Sequence, residues 1–341
     1  MTHGPAATPD EGRRIEGEIE GEHGARTGVV RTTFAVLRRD GLALYGQAAR
    51  AAGVAALGGL LVTVVAFLVT WPTFTAIRQG AIRAHINEDS YAPDGSRVND
   101  MWLTLLACLP FLILLLHLGC TAIQTASTRA VADGHPGGRV EGQGRGRFRA
   151  VLGVYVLRGV CVWAPLVLAV LLEEYLTTTM FREYTAIVPK WEYPHLFPLL
   201  RYGLPLLGLV LTLVLRFGWT LAPATAATEG LAPLASLRRS WSLTWGRVGA
   251  WFRTMALALP LGALAVGLYL LLHLAARPLR SATVSVFLEW GPDNTYAAYV
   301  VGLLVPIAIA LLLAGALILP PAHTALAVLH RRLLTAAAPR G

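Results

Sequence analysis

Six long apolar runs alternate with polar, arginine-containing segments along this 341-residue chain. Each run has the roughly 17 to 25 mainly apolar residues that a helix needs to cross about 30 Å of hydrocarbon. Backbone N–H and C=O groups cannot stay unpaired in lipid, so runs of this length predict helices rather than open strands. The predicted fold class is all-α, a polytopic membrane protein of about six transmembrane helices. The predicted spans are residues 52–74, 102–123, 151–172, 197–215, 255–274 and 299–319.

The composition agrees with a chain whose solvent is a bilayer. Hydrophobic residues make up 55% and charged residues 14%, whereas charged residues alone make up about a quarter of a soluble domain. The three cysteines fall inside apolar runs, and their spacing matches neither a disulfide framework nor a metal site. We therefore predict neither a metal nor any other cofactor.

The distribution of basic residues predicts the orientation. Of the 29 Lys and Arg residues, twenty lie before the first span, in the second and fourth loops and in the tail, seven lie in the other loops, and two lie within spans. Positive charge stays in cytoplasmic loops, so we predict a plasma-membrane protein with both termini in the cytoplasm. Topology thus accounts for the basic excess, and the predicted partner is anionic inner-leaflet lipid rather than nucleic acid. Four tryptophans near the inner span ends fit this frame, namely Trp219, Trp241, Trp245 and Trp251.

Three segments follow from the polarity pattern. Residues 1–28 are acidic and rich in glycine, too polar to bury a core, and are predicted to be disordered. Residues 29–332 form the predicted membrane domain, and residues 333–341 a short C-terminal tail. The N-terminal residues contain no apolar signal-peptide core, so the first span is expected to act as an uncleaved insertion signal.

A short repeat precedes the first and fifth spans at an offset of 200 residues. Six of twelve positions match when aromatic residues count as equivalent, and each copy carries an arginine pair, Arg38–Arg39 and Arg238–Arg239. One interpretation is a cytoplasmic interfacial helix before each of these spans, with arginine heads among lipid phosphates. The other is a plain helical extension of each span.

The second copy lies in the stretch EGLAPLASLRRSWSLTWG, which resembles a known signature. It is similar to the membrane domain that anchors bacterial glycerophosphoryl diester phosphodiesterases, and to related integral membrane proteins common in actinobacteria. The matching residues are Glu229, Gly230, Ala235, Arg239, Ser240, Leu243 and Gly246. The resemblance implies a six-helix membrane domain without an established activity. About fifty residues before the first span and about twenty after the last leave no room for a catalytic barrel, so we expect none.

Arg158 is the clearest polar anomaly within the spans. It lies roughly 10 Å into the third span at 1.5 Å per residue, and His117 on the second span lies at a similar depth. No carboxylate does. Such a cation could face a wet cavity and bind an anion such as a lipid phosphate. Alternatively, it snorkels to the inner interface or bonds to backbone carbonyls.

Other candidate chemistry has simpler interpretations. His117 and His273 could relay protons, but they lie near opposite faces without acidic neighbours, which favours packing histidines. Glu173 and Glu174 end the third span, where a solvated helix end is favoured over acid–base chemistry. The motifs H-E-x-x-H, G-x-S-x-G and G-x-x-x-x-G-K-[ST] are absent from the sequence, so we predict no enzymatic activity.

Two functional hypotheses remain, and a third has less support from the sequence. The first is a membrane scaffold or lipid-interacting component, which rests on the arginine-bearing segments and the resemblance. The second is a transporter or flippase of a small or lipidic anionic substrate, which rests on prolines in the spans, the repeat and Arg158. An intramembrane hydrolase would need a nucleophile and a base from different helices.

Overall fold

The computed structural model describes residues 28–87, 95–133, 144–180, 196–246, 248–291 and 293–337. Within these ranges the chain is almost entirely helical and contains no β-strand. The helices are α1 (Val29–Ile86), α2 (Gly95–Asp133), α3 (Gly144–Met180), α4 (Leu204–Gly218), α5 (Ala222–Glu229), α6 (Pro233–Trp245), α7 (Val248–Ala276), α8 (Leu279–Trp290) and α9 (Thr295–Ala337). A short turn (Leu196–Pro198) and a π-helical turn (Leu199–Gly203) lead directly into α4.

Six of the helical segments are long and apolar enough to cross a membrane. The six predicted spans correspond to α1, α2, α3, α4 with the turns that precede it, α7 and α9, which confirms the all-α prediction. Large apolar side chains cover their outer surfaces, for example Leu57, Val167 and Leu271, which are 71%, 51% and 63% exposed. A continuous apolar surface of this kind is typical of contact with lipid. The protein is therefore a multi-pass membrane protein.

The core of the bundle forms around the short helix α5. α1 packs against α2 and α9, α3 packs against α4, and α7 and α8 pack against α9. In the core, Ala222, Ala226 and Ala227 of α5 lie buried against Val151 and Val154 of α3. Small side chains allow helix backbones to approach closely in a membrane protein. The alanines of α5 thus let it fit between the longer helices.

α3 and α4 approach each other closely at Gly208. A Cβ atom added there would lie 2.6 Å from the Cβ of Ala169 and 2.9 Å from the carbonyl oxygen of Pro165. Neither neighbour is the end of a flexible side chain that could move away. The missing side chain of Gly208 therefore sets the distance between these two helices.

Arginines join several helices at one end of the bundle. Arg39 of α1 donates to the carbonyl oxygen of Ala130 on α2 over 2.6 Å, and Arg332 of α9 donates to the hydroxyl of Thr32 on α1 over 3.1 Å. We call this end, where α1 begins and α2 and α9 end, the basic end. The start of α1 and the ends of α2 and α9, which the sequence assigns to one side of the membrane, thus lie together.

At the opposite end, ion pairs between described residues link separate helices. Arg201 contacts Glu173 over 2.6 Å, and Arg78 pairs with Asp293. Glu173 is only 5% exposed, so the prediction of a solvated helix end is wrong for this residue. The reason is that Arg201, in the π-helical turn, supplies a cation that the spacing along the sequence does not reveal. Glu174 lies 3.7 Å from the same arginine and is mostly exposed.

Two sequence-based boundaries differ from the structure. The arginine-bearing segment before the first span is not a separate helix but the first part of the 58-residue helix α1, as in the helical-extension interpretation. The second copy is a separate helix, α6. The last helix runs through Pro320 and Pro321 to Ala337, past the predicted domain boundary at 332. The predicted disordered tail, apart from residue 28, and residues 338–341 lie outside the described residues.

Candidate functional site

Glu229 holds three helices together at the basic end. Glu229 is the last residue of α5, and its carboxylate accepts a hydrogen bond from Nε2 of His330 on α9 over 3.2 Å. Its second oxygen lies 3.6 Å from Nε of Arg239 on α6. His330 is fully buried, and its Nδ1 lies 3.3 Å from the hydroxyl of Thr228. Each ring nitrogen of this buried histidine therefore has a polar atom within hydrogen-bond distance, which limits the cost of burying the ring.

The remaining signature residues shape the turn and dock α6. Gly230 follows Glu229 with φ = 66°, a left-handed conformation that favours glycine and ends α5. Ser240, fully buried, donates to the carbonyl oxygen of Gly218 at the end of α4 over 2.9 Å. Leu243 is buried on the same face, and Gly246 ends α6 by donating to the carbonyl oxygen of Ser242. The signature thus encodes a packed junction between α4, α5, α6 and α9.

The opposite face of α6 is exposed and combines apolar and basic side chains. Arg238 is exposed on this face, and Leu234 and Trp245 are 55% and 41% exposed. A shallow groove of about 600 Å³ runs along it. The groove is lined by Leu231, Ala232, Leu234, Ala235, Arg238, Arg239 and Ser242. An apolar surface beside arginine heads is typical of a helix that lies at a membrane interface.

Four tryptophans, two of which belong to α6, form a chain of ring contacts. The ring centroids of Trp219 and Trp241 lie 6.2 Å apart, those of Trp241 and Trp245 lie 5.6 Å apart, and those of Trp245 and Trp251 lie 6.3 Å apart. Gly218 makes room for them, because a Cβ there would lie 2.7 Å from Nε1 of Trp245. Tryptophans anchor helices at headgroup level. The structure thus gathers the four tryptophans that the sequence predicts near one side of the membrane.

The arginines of the first repeat copy have a different environment. Arg39 donates to Asp40 and to the backbone of Ala130, so its guanidinium already contacts protein acceptors. Arg38 is exposed on α1. The equivalence of Arg39 and Arg239 in the sequence therefore does not extend to their contacts.

Arg158 lies inside the bundle within a polar cluster from three helices. It shares one face of α3 with the buried residues Val151, Val154 and Val162, and it is half-buried. Four side chains of this cluster lie close enough to interact electrostatically with it, namely His117, Cys120, Tyr155 and His323, and so does a second cation, Arg216 of α4. The structure therefore brings together Arg158 and His117, which the sequence places at similar depth.

Tyr155 joins the two histidines of this cluster. Its ring stacks on that of His117 with centroids 5.9 Å apart and meets that of His323 edge-on at 6.3 Å. Its hydroxyl lies 3.5 Å from Nδ1 of His323. His117 also packs on Gly159, where a Cβ would lie 2.9 Å from its ring. His273, by contrast, stacks on Tyr269 within α7, outside this cluster.

Sequence reasoning missed Tyr155, His323 and His330. Tyr155 lies one turn before Arg158 on the same helix face, so the spacing alone could have found it. His323 and His330 follow Pro320 and Pro321, at which the predicted span ends. Their burial becomes apparent only because α9 continues through both prolines.

The chain matches no protein-family model, no curated protein and no solved structure. Within the described ranges, no group of three or more His, Cys, Asp and Glu side chains is arranged to hold a metal ion. The candidate sites are therefore the exposed face of α6 and the polar cluster around Arg158, both defined by their own geometry.

Proposed function

We propose that this protein is a membrane-embedded scaffold or lipid-interacting component that binds anionic lipid headgroups through α6. The supporting observation is the exposed face of α6, where Arg238 and Arg239 line a groove next to exposed Leu234. The buried face of the same helix is docked through Ser240 and Leu243, so the basic face is held outward. Guanidinium groups bind phosphate oxygens through paired N–H donors, and acyl chains favour the apolar part of the groove.

The orientation and location belong to the same proposal. Both termini lie in the cytoplasm and the helices cross the plasma membrane, because the basic segments alternate with sparsely charged loops. The clustering of arginine contacts at the basic end supports this orientation. Anionic lipids of the inner leaflet would then face the groove on α6. The protein acts without catalysis in this proposal.

The proposed kinship with the phosphodiesterase membrane domain rests on the signature positions. Glu229, Gly230 and Ser240 have specific roles in the junction, which gives a physical reason for a family to require them. The proposed kinship does not imply an enzymatic activity for this chain.

Neutralising Arg238 is expected to weaken lipid binding about fivefold, since one basic side chain near an anionic surface contributes about 1 kcal/mol. The full chain in maltoside micelles would be titrated with phosphatidylglycerol brominated on its acyl chains. Bromine quenches the emission of Trp241 and Trp245 beside the groove. Brominated phosphatidylcholine gives the reference for non-specific quenching. The measured quantity is the ratio of the two half-saturating concentrations for wild type and Arg238→Gln.

Arg31→Gln is the charge-matched control for this experiment. Arg31 is exposed on α1 about twenty residues before the predicted first span, roughly 30 Å away along the helix. The control is expected to keep the wild-type ratio. An unchanged ratio in both Arg238→Gln and the double variant Arg238→Gln/Arg239→Gln would mean that α6 does not bind anionic lipid.

A second candidate, transport or flipping of an anionic substrate, is supported by one observation. Arg158 shares its helix face with buried Val154 and Val162 and so faces other helices rather than lipid. A cation inside a membrane protein typically marks a substrate or ion pathway.

A further inference from the structure

The guanidinium of Arg158 has no counter-ion among the residues that the structure describes. Four other arginines each contact a carboxylate, in the pairs Arg39–Asp40, Arg78–Asp293, Arg201–Glu173 and Arg239–Glu229. In the described part of the chain, no ion pair or hydrogen bond engages Arg158. Arg158 is half-buried, and a charge that is partly removed from water without a partner is unfavourable. The position therefore calls for an anion that the described residues do not supply.

The side chains around Arg158 offer further hydrogen-bond donors. The Tyr155 hydroxyl lies 3.5 Å from Nδ1 of His323, and in the tautomer in which this hydroxyl donates to Nδ1 the neutral ring carries its proton on Nε2. That Nε2 atom is buried and has no partner among the described residues. His323 is itself 7% exposed, and its ring comes from α9 while Arg158 comes from α3. An unpaired N–H donor and an unpaired guanidinium thus lie in one cluster, and both require acceptor oxygens.

A polar stripe on α2 extends from this cluster to the basic end. His117, Thr121, Gln124 and Thr128 follow one another at spacings of three or four residues and therefore lie on one helix face. The last three are at most 6% exposed, so this face points into the bundle. The interior between Arg158 and the basic end is consequently more polar than the surface that contacts lipid.

We propose that Arg158, His323, His117 and Tyr155 form a binding site for one phosphate-type anion inside the bundle. Arg158 supplies the charge and paired N–H donors, and Nε2 of His323 supplies a further donor. A tetrahedral oxyanion presents enough acceptors to satisfy both. The anion is either free phosphate or the phosphate of a lipid headgroup. The site is distinct from the groove on α6 and goes beyond the proposed function.

Binding would be measured by isothermal titration calorimetry of the full chain in maltoside micelles prepared in phosphate-free buffer. The probes are inorganic phosphate and soluble dihexanoyl phosphatidic acid. Wild type is expected to bind at one site, and Arg158→Gln is expected to lose at least tenfold in affinity. Arg158→Lys, which keeps the charge but not the paired donors, is expected to retain an intermediate affinity. Arg31→Gln, which removes a charge elsewhere, should bind as wild type does.

His323→Gln keeps the test decisive should Arg158→Gln fail to fold. Its expected loss is about threefold to tenfold, because it alters one neutral donor. Tighter binding of the short lipid than of phosphate assigns the site to headgroups, and the reverse assigns it to free phosphate. The proposal is overturned if wild type binds neither probe, or if Arg158→Lys and His323→Gln both bind phosphate as wild type does. Either result leaves the lipid-quenching test of α6 untouched.

Discussion

Replacing Gly208 with valine is expected to lower the stability of the bundle by about 3 kcal/mol. Overpacking a well-packed site typically costs about 1 to 3 kcal/mol. The upper end applies because the added Cβ would lie 2.9 Å from the carbonyl oxygen of Pro165 and 3.0 Å from the Cα of Leu166, which are backbone atoms. α3 and α4 would have to separate along their contact. Reversible unfolding in mixed micelles of increasing sodium dodecyl sulfate content would measure the loss.

Gly267→Val provides the matched control for Gly208→Val. Gly267 also lies within a membrane-spanning helix, α7, and a Cβ there would meet nothing within 4 Å. Both changes introduce the same β-branched side chain into a helix, so intrinsic helix propensity cancels between them. The control should unfold within about 0.5 kcal/mol of wild type. Equal losses in the two variants would show that Gly208 does not set the distance between α3 and α4.

Replacing Glu229 with alanine is expected to destabilise the basic end by about 2 to 3 kcal/mol. The change leaves Nε2 of His330 buried without an acceptor, and an unsatisfied buried donor costs about 1 to 3 kcal/mol. Arg239 adds little, because its side chain is 43% exposed and water screens the pair. The loss should appear in the same unfolding assay, and hydrogen exchange should rise in α6.

Two further variants distinguish a specific role of Glu229 from a general effect of charge. Glu229→Gln keeps an oxygen that can accept from His330 and is expected to recover most of the stability. Glu289→Ala removes a carboxylate from an exposed position on α8 and should be nearly neutral. A Glu229→Ala protein as stable as Glu289→Ala would show that Glu229 does not stabilise the junction between α5, α6 and α9.

The membrane-spanning helices were predictable because each one corresponds to a single continuous run of apolar residues. No long-range contact is needed to recognise such a run. The separate helix α6 also has a local signal, since Gly230 and Pro233 precede it and Gly246 ends it. The first repeat copy has no proline between residues 29 and 71, and there the helix continues. Arginine pairs alone did not distinguish the two cases.

The partners of the functional side chains were not predictable, because they come from distant parts of the chain. Glu229 and His330 are 101 residues apart, and Tyr155 and His323 are 168 residues apart. The last predicted span also ends too early, at residue 319, because the proline pair Pro320–Pro321 follows it. A proline removes one backbone hydrogen bond, but packing against neighbouring helices can keep a membrane helix intact. α9 therefore carries two buried histidines into the core.

Because α9 is one continuous helix, it connects the basic end of the bundle with the interior. Its 43 residues extend about 65 Å at 1.5 Å per residue, and His323 and His330 lie two turns apart on it. A rotation of α9 about its axis, or a shift along it, moves both rings together. Displacing His330 from Glu229 at the basic end would therefore change the distance between His323 and Tyr155. Such a movement would couple events at the interface to events deep in the bundle through this single helix.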